Sequence, residues 1–463
     1  MRLRNNIGII IIMLAFIFAN SIFLNFYKDV WWDSSVYIGM GKYIFSLGKS
    51  GLWEQSRPLL LPFILGIGWK LGFDVVYFGR IVTTIFAILV ICMTYAIGLR
   101  LFSRKIGLVA AFFTAFSHTF LFYSPSILTE IPSMSFLLLA FYFFLGSRFF
   151  FMGVAAGFAV ITRLFQAFAL IGLGVAFLIF ISRKPKSARE LLYGVAGFLM
   201  IVLPYFILNY YLYSDPLEPF KVQTHLTRTT GWMHYEELPF YITGLYKENY
   251  FLVLLLALPL FFRKDYRFLA LFFTPAIYLL IFSIVKNKDM RYALIIMPFL
   301  YLILSYCLIS IHNRIKYKKL AFIIFVLASI AWVSATIISF KDIASYSYQH
   351  NDEGFLYFQN YLKDNYGKAW ITNPLYALHS NQKIDALLYF YSSPNLINLI
   401  NNRKDSVDTI LFNSCDIPCP PIELDSLCPE SRKILQSVMS KFKKIYEKNI
   451  NSCKYEIYRK PTS

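Results

Sequence analysis

The sequence predicts a polytopic, α-helical membrane protein of about eleven transmembrane helices, followed by a small extracytoplasmic α/β domain. Three observations carry this expectation. Of 463 residues, 57% are apolar and only 15% charged, where soluble domains carry about 25% charged residues. Apolar runs approach the ~20 residues that cross a hydrocarbon core of ~30 Å. Near Lys341 the composition changes: 28 of the last 123 residues are charged, against 43 of the 340 before them. A soluble globular enzyme is excluded. Lys and Arg number 45 against 26 Asp and Glu, a net charge of +19. In a soluble chain that excess would suggest nucleic acid, but here it follows from the accumulation of Lys and Arg in cytoplasmic loops.

The apolar runs bounded by charges or turn residues lie near 7–26, 74–99, 106–124, 131–146, 149–162, 164–181, 190–213, 250–262, 268–285, 291–311 and 320–340. The run 58–71 is short and holds Pro58 and Pro62, so it spans or only dips. With a cytoplasmic N-terminus and 58–71 not spanning, the clusters Arg2/Arg4, Arg100/Arg104/Lys105, Arg148, Arg183/Lys184/Lys186/Arg189, Arg263/Lys264/Arg267 and Arg314/Lys316/Lys318/Lys319 all fall inside, as positive-inside topology demands. Outside then lie the loops 27–57 and 214–250 and the segment 341–463. The first run lacks a small-residue cleavage site and ends Phe26-Tyr27-Lys28, which marks an anchor helix rather than a signal peptide.

Within 341–463, Glu353–Tyr366 and Glu430–Tyr446 read as helices, and Ala369–Thr372, Val407–Phe412 and Tyr455–Tyr458 as strands. Cys415, Cys419, Cys428 and Cys453 lie here, whereas Cys92 and Cys307 sit in spans. An oxidising compartment favours two disulfides, with three connectivities open. A four-cysteine zinc site is the rival, since Cys415 and Cys419 have a tolerable ligand spacing.

The outer segments hold the candidate chemistry. Asp33, Tyr37, Met40/Gly41 and Ile44 recur at helical spacing, placing Asp33 at the start of an interfacial helix. The simpler reading is that Asp33 caps that helix. Leu128-Thr129-Glu130-Ile131-Pro132 sets a carboxylate at the junction of two apolar helices, where an ionisable group is a functional hypothesis, or where Thr129 merely caps. Arg57, Arg163, Lys286, Lys288 and Arg291 are cations on the outer side, against the charge bias. A phosphate near the headgroups would account for them, with arginine as a forked ligand and Tyr292 as a hydroxyl donor. Otherwise they snorkel to lipid headgroups or pair with Asp289.

Taken together, Asp33-x-x-x-Tyr37 after the first span, Arg57-Pro58-Leu59-Leu60, Leu128-Thr129-Glu130, and Arg291-Tyr292 separated by five residues from Pro298 resemble the polyprenyl-phosphate-dependent glycosyltransferases of the GT-C fold. That group includes the protein O-mannosyltransferases and the lipid A aminoarabinose transferases. The resemblance covers residues 1–340 and implies a transmembrane GT-C-like catalytic domain, with 341–463 as an extracytoplasmic α/β domain. It implies that Asp33 and Glu130 face the active site as its catalytic carboxylates, that Arg57 binds donor phosphate or acceptor, and that Tyr292 with Arg291 and Lys286 lines the same site; the outer cations Arg163 and Lys288, and Tyr37 beside Asp33, join them as candidate substrate-binding residues. Ser34 and Val36 depart from the pattern, where many relatives carry a second acid and an arginine.

The expected function is an inverting glycosyltransferase that moves a sugar from a dolichyl- or undecaprenyl-phosphate donor to a hydroxyl of a protein, lipid or glycan acceptor at the outer face of the cell membrane. Such a donor carries a good leaving group. A base for the acceptor proton, such as Asp33, and cations for the departing phosphate then suffice. A lipid-pyrophosphate-dependent ligase or polymerase, and a transporter or lipid flippase, are the alternatives. No metal is assigned: a divalent ion shared by Asp33 and Glu130 is conceivable, but His225, His234, Glu236 and Glu237 have no recognised ligand spacing. Partners are the lipid donor, membrane lipids and the acceptor, without nucleic acid.

Overall fold

Each predicted span falls on one or more helices in the computed structural model, which describes residues 7–26, 30–183, 188–229, 234–263, 265–344, 352–364, 367–388, 393–416 and 418–461. Arg2, Arg4, Tyr27, Lys28, Lys184, Lys186, Lys264 and Tyr366, which entered the sequence reading, lie outside the described residues. The helices are α1 (Ile7–Phe26), α2 (Trp32–Phe45), α3 (Leu60–Lys70), α4 (Val75–Leu101), α5 (Arg104–Phe116), α6 (His118–Tyr123), α7 (Glu130–Leu145), α8 (Phe149–Thr162), α9 (Gln166–Arg183) and α10 (Ala188–Tyr213). They continue as α11 (Glu218–Thr229), α12 (Phe240–Glu248), α13 (Tyr266–Ile284), α14 (Met290–Leu294), α15 (Met297–Arg314), α16 (Lys318–Ala344), α17 (Glu353–Asp364), α18 (Ser393–Arg403) and α19 (Cys428–Met439). The strands are β1 (Lys368–Ile371), β2 (Lys383–Leu387), β3 (Thr409–Asn413), β4 (Lys443–Ile450) and β5 (Cys453–Arg459).

The chain folds into two compact units. A helical unit comprises Met1–Lys28, Arg80–Pro216 and Glu236–Tyr346, and a mixed unit comprises Asp29–Gly79, Leu217–Tyr235 and Ser347–Ser463. Among the described residues, five helices are long and apolar enough to cross a membrane. A sixth candidate is the pair formed by α12 and the 3₁₀ helix Tyr250–Phe261, bent by 109°. Within three of the expected spans the helix is interrupted or of another type. The run 106–124 breaks at Ser117, whose extended backbone and hydroxyl cap α6. The run 250–262 is 3₁₀ rather than α, and 291–311 divides into α14 and α15, with Pro298 in the first turn of the latter.

In the helical unit, hydrocarbon leaves no water to pair with the backbone, so helices satisfy it internally. They pack where small residues let them approach: a Cβ on Gly153 of α8 would lie 1.9 Å from the carbonyl of Gly194 on α10. Rings fill the interior, with Phe113 centred 5.4 Å from Phe251, 5.8 Å from Tyr301 and 5.4 Å from Trp332. Leu192 on α10 and Leu320 on α16 are exposed, as lipid-facing side chains are.

The mixed unit is built on a five-stranded sheet of order β2-β1-β3-β5-β4. β1 pairs in parallel with β2 and β3, and β5 runs antiparallel to β3 and β4. Trp370, Leu388, Ile400, Ile410 and Leu435 form its buried core. The expected helix 430–446 stops at Met439, and Lys443–Ile450 becomes a strand. Asn451 and Ser452, with φ of 48° and 63°, supply the two left-handed positions of a tight hairpin that turns β4 into β5. The cysteines pair as Cys415–Cys453 and Cys419–Cys428, which removes the zinc reading.

The loop after α2 joins this unit through Gly51, which donates to Gln382 O and accepts from Ile384 N at the edge of β2. Gly51 has φ +79°, and a Cβ there would lie 2.2 Å from the carbonyl of Gly39. Gly51→Ala is expected to cost roughly 3 kcal/mol, read from denaturant unfolding of the mixed unit.

Asp416 accepts from the Thr372 and Tyr376 hydroxyls and from Asn413 Nδ2. Burial pushes its carboxyl up to about 6, above the ordinary 3.8, although these hydrogen bonds oppose the rise. The folded state then holds the proton more tightly than the unfolded chain, so this stability is complete below the ordinary value and lost as pH rises through about 6. Melting temperatures across this range are expected to rise on acidification relative to Asp416→Asn, which has no proton to bind.

Candidate active site

Two polar groups gather the residues singled out in the sequence, one in each unit. In the helical unit, Glu130 opens α7, where the helix dipole favours a carboxylate. Thr129 is the N-cap but makes no side-chain capping bond. Its hydroxyl instead accepts from Arg163 Nη1 at 3.3 Å. Arg163 follows α8 in extended backbone, and the same nitrogen lies 2.9 Å from Glu130 Oε1. Glu130 is only 2% exposed, so this is a buried pair whose loss on one side strands a charge.

The second cation arrives from the turn after α13. Asp289 caps α14 by accepting from Arg291 N at 2.9 Å, and its other oxygen lies 3.1 Å from Arg291 Nε. That nitrogen also comes within 3.9 Å of Glu130 Oε1. Each guanidinium is centred 5.4 Å from the buried ring of Tyr292. Lys288 is buried and donates to the carbonyl of Glu236, whereas Lys286 is exposed and its backbone carbonyl accepts from Glu236 N. Glu130, Arg163, Arg291, Tyr292 and Asp289 thus form one cluster. Glu130 Oε2, Arg163 Nε and Gln166 Nε2 at this junction are buried without a hydrogen-bond partner among the described residues. Buried polar atoms are ordinarily satisfied, so these atoms take a water, an ion or a polar ligand as partner.

In the mixed unit, Trp31 is the N-cap of α2, and Asp33 lies in its first turn rather than capping it. Asp33 Oδ1 is 2.8 Å from Arg57 Nη2, and Arg57 Nε is 3.0 Å from Glu54 Oε1, which also accepts from the Ser56 hydroxyl at 2.6 Å. Tyr37, one turn on from Asp33, carries the Arg57 guanidinium 5.7 Å from its ring centre. Arg57 is thus held between two carboxylates. Glu54 was missed in the sequence, although its place three residues before Arg57 in a polar break between apolar runs signals it.

Glu248 was missed as well. Its carboxylate accepts from the Ser117 hydroxyl at 2.7 Å and from Thr119 N at 3.0 Å, bracing the break between α5 and α6. His225 lies on α11 of the mixed unit, and Glu236 belongs to the helical unit.

With this geometry established, comparison with known proteins decides the fold. The structure of ArnT from Cupriavidus metallidurans bound to undecaprenyl phosphate superposes with a TM-score of 0.67, over 98% of this chain and 98% of that one, at 11% identity. The chain has the GT-C glycosyltransferase fold. The apo form of the same ArnT gives 0.64 over 97% of each chain at 10% identity. The archaeal oligosaccharyltransferase AglB from Archaeoglobus fulgidus, in complex with an inhibitory peptide and a dolichol-phosphate, gives 0.60 at 12% identity, over 97% of this chain and 74% of that one. The profile of the dolichyl-phosphate-mannose-protein mannosyltransferase family matches residues 56–208 of this GT-C chain. That stretch contains Arg57, Glu130 and Arg163. No curated protein sequence matches the chain.

Proposed function

We propose that this GT-C glycosyltransferase transfers a sugar from a polyprenyl phosphate to an acceptor hydroxyl at the extracytoplasmic face, inverting the anomeric carbon. The observation that carries the proposal is the arginine pair around Glu130, with the buried donors Arg163 Nε and Gln166 Nε2 left unsatisfied. Two guanidiniums match the fork geometry of a phosphate monoester or diester. The ArnT and AglB structures hold undecaprenyl phosphate and dolichol-phosphate, ligands of the same chemistry.

Arg163 and Arg291 receive the donor phosphate, with Tyr292 donating its hydroxyl and Lys286 and Lys288 adding positive charge. Glu130 holds both guanidiniums in register before the lipid arrives. Asp33 takes the acceptor's proton, and Arg57, engaged by Asp33 and Glu54, fixes its orientation. The disulfides Cys415–Cys453 and Cys419–Cys428 suit an oxidising compartment and support an outer C-terminal segment; the charge bias of the loops supports a cytoplasmic N-terminus in the cell membrane.

The test is a transfer assay with the full chain in nanodiscs, offered a polyprenyl-phosphate sugar and its pyrophosphate counterpart in competition. The expected product derives from the monophosphate donor and carries the inverted anomer. Transfer from the pyrophosphate alone would make the chain a ligase or polymerase, and lipid movement without transfer would make it a flippase.

A further inference from the structure

The mixed unit contains a cavity of about 480 Å³ that the reaction above does not use. Its size is that of a small-molecule site. Tyr43 and Trp53 form one wall, their rings 5.5 Å apart. Asp385, Asn398 and Arg403 line another part of it. Glu54 also lines the cavity, and its carboxylate holds Arg57, which in turn holds Asp33.

Two features restrict what fits. The first is charge. Asp385 Oδ1 lies 3.7 Å from Arg403 Nη1, its other oxygen accepts from Trp370 Nε1 at 3.2 Å, and Glu54 is paired with Arg57. Lys383 and Arg403 face Glu54 and Asp385 in equal number, so the lining offers no surplus charge to an anion. The second is the combination of aromatic faces with fixed carboxylate, amide and guanidinium groups. Flat rings take the C–H face of a pyranose, and planar polar groups pair with its neighbouring hydroxyls.

We propose that this cavity is an acceptor subsite for a neutral saccharide, so that the hydroxyl glycosylated is a sugar hydroxyl. This deepens the transfer reading and rests on it. In the step, the bond from the donor's anomeric carbon to the phosphate oxygen breaks, and its electron pair leaves with the polyprenyl phosphate. The acceptor oxygen forms the new bond to that carbon while its proton passes to the Asp33 carboxylate. Glu54 links the cavity to the base, since it lines the cavity and pairs with Arg57, which in turn pairs with Asp33.

The test is saturation-transfer difference NMR on the full chain in nanodiscs without donor. The probes are neutral trisaccharides of mannose, glucose, galactose and N-acetylglucosamine, with a Ser/Thr-rich peptide as a separate arm. Transfer to the ring protons of at least one trisaccharide is expected, weakened at least tenfold in Trp53→Ala and in Asn398→Ala, and kept in Trp53→Phe. Asn398 is exposed on α18, so its removal leaves the core intact. Absence of transfer to every saccharide, equal transfer in Asn398→Ala, or transfer to the peptide alone would overturn the proposal. Because no donor is present, failure here leaves the lipid-phosphate reading standing, and failure of donor transfer leaves saccharide binding measurable.

Discussion

Arg163→Ala is expected to lower sugar transfer by about a thousandfold and to destabilise the helical unit by about 3–5 kcal/mol. Both effects have one origin. Glu130 is buried, and Arg163 Nη1 at 2.9 Å is its nearest cation. Removing the guanidinium strands a carboxylate in a medium that solvates it poorly, and it also removes a fork from the departing phosphate. The two effects separate in Arg163→Ala/Glu130→Gln, which has no stranded charge. The double variant is expected to recover most of the stability and none of the transfer. Thermal unfolding and single-turnover assays on the same preparations check this, and recovered transfer would remove Arg163 from the phosphate site.

Asp33→Asn is expected to reduce kcat by about 10²–10⁴-fold while leaving donor binding unchanged. The amide has the carboxylate's shape and an oxygen for Arg57, so the 2.8 Å contact persists as a neutral hydrogen bond. What it lacks is the capacity to take the acceptor's proton. A fall in KM-limited rate with kcat preserved would instead make Asp33 a binding residue. Measured kcat and KM for the donor distinguish the two.

Much of this architecture was legible because the chemistry of a bilayer is severe. Runs such as 74–99 and 320–340 have few alternatives to helix, and cations placed against the charge bias pointed to Arg163 and Arg291. The acid they meet, Glu130, was visible by its place between two prolines and two apolar runs. Breaks inside apolar runs were not legible, since Ser117 interrupts a stretch whose composition is uniform on both sides. Pairings over long sequence distances escaped for a different reason. Asp33 and Arg57 meet because α2 and α3 pack through bare backbone, a Cβ on Gly66 lying 2.7 Å from Gly41 O, and nothing local to either residue encodes that approach. Glu248 reaches Ser117 across 131 positions. In the mixed unit, β2 and α18 are short, and the charged residues of β4 imitate an amphipathic helix until the Asn451-Ser452 turn is recognised.

The most direct measurement is a structure of the full chain in a lipid bilayer with a polyprenyl phosphate bound. The phosphate is expected in hydrogen-bond contact with the guanidiniums of both Arg163 and Arg291, with the Tyr292 hydroxyl turned to it and Glu130 still joined to Arg163. A phosphate seated elsewhere, with the Arg163–Glu130–Arg291 group unchanged and touching no ligand, would contradict the assignment of these cations to the donor.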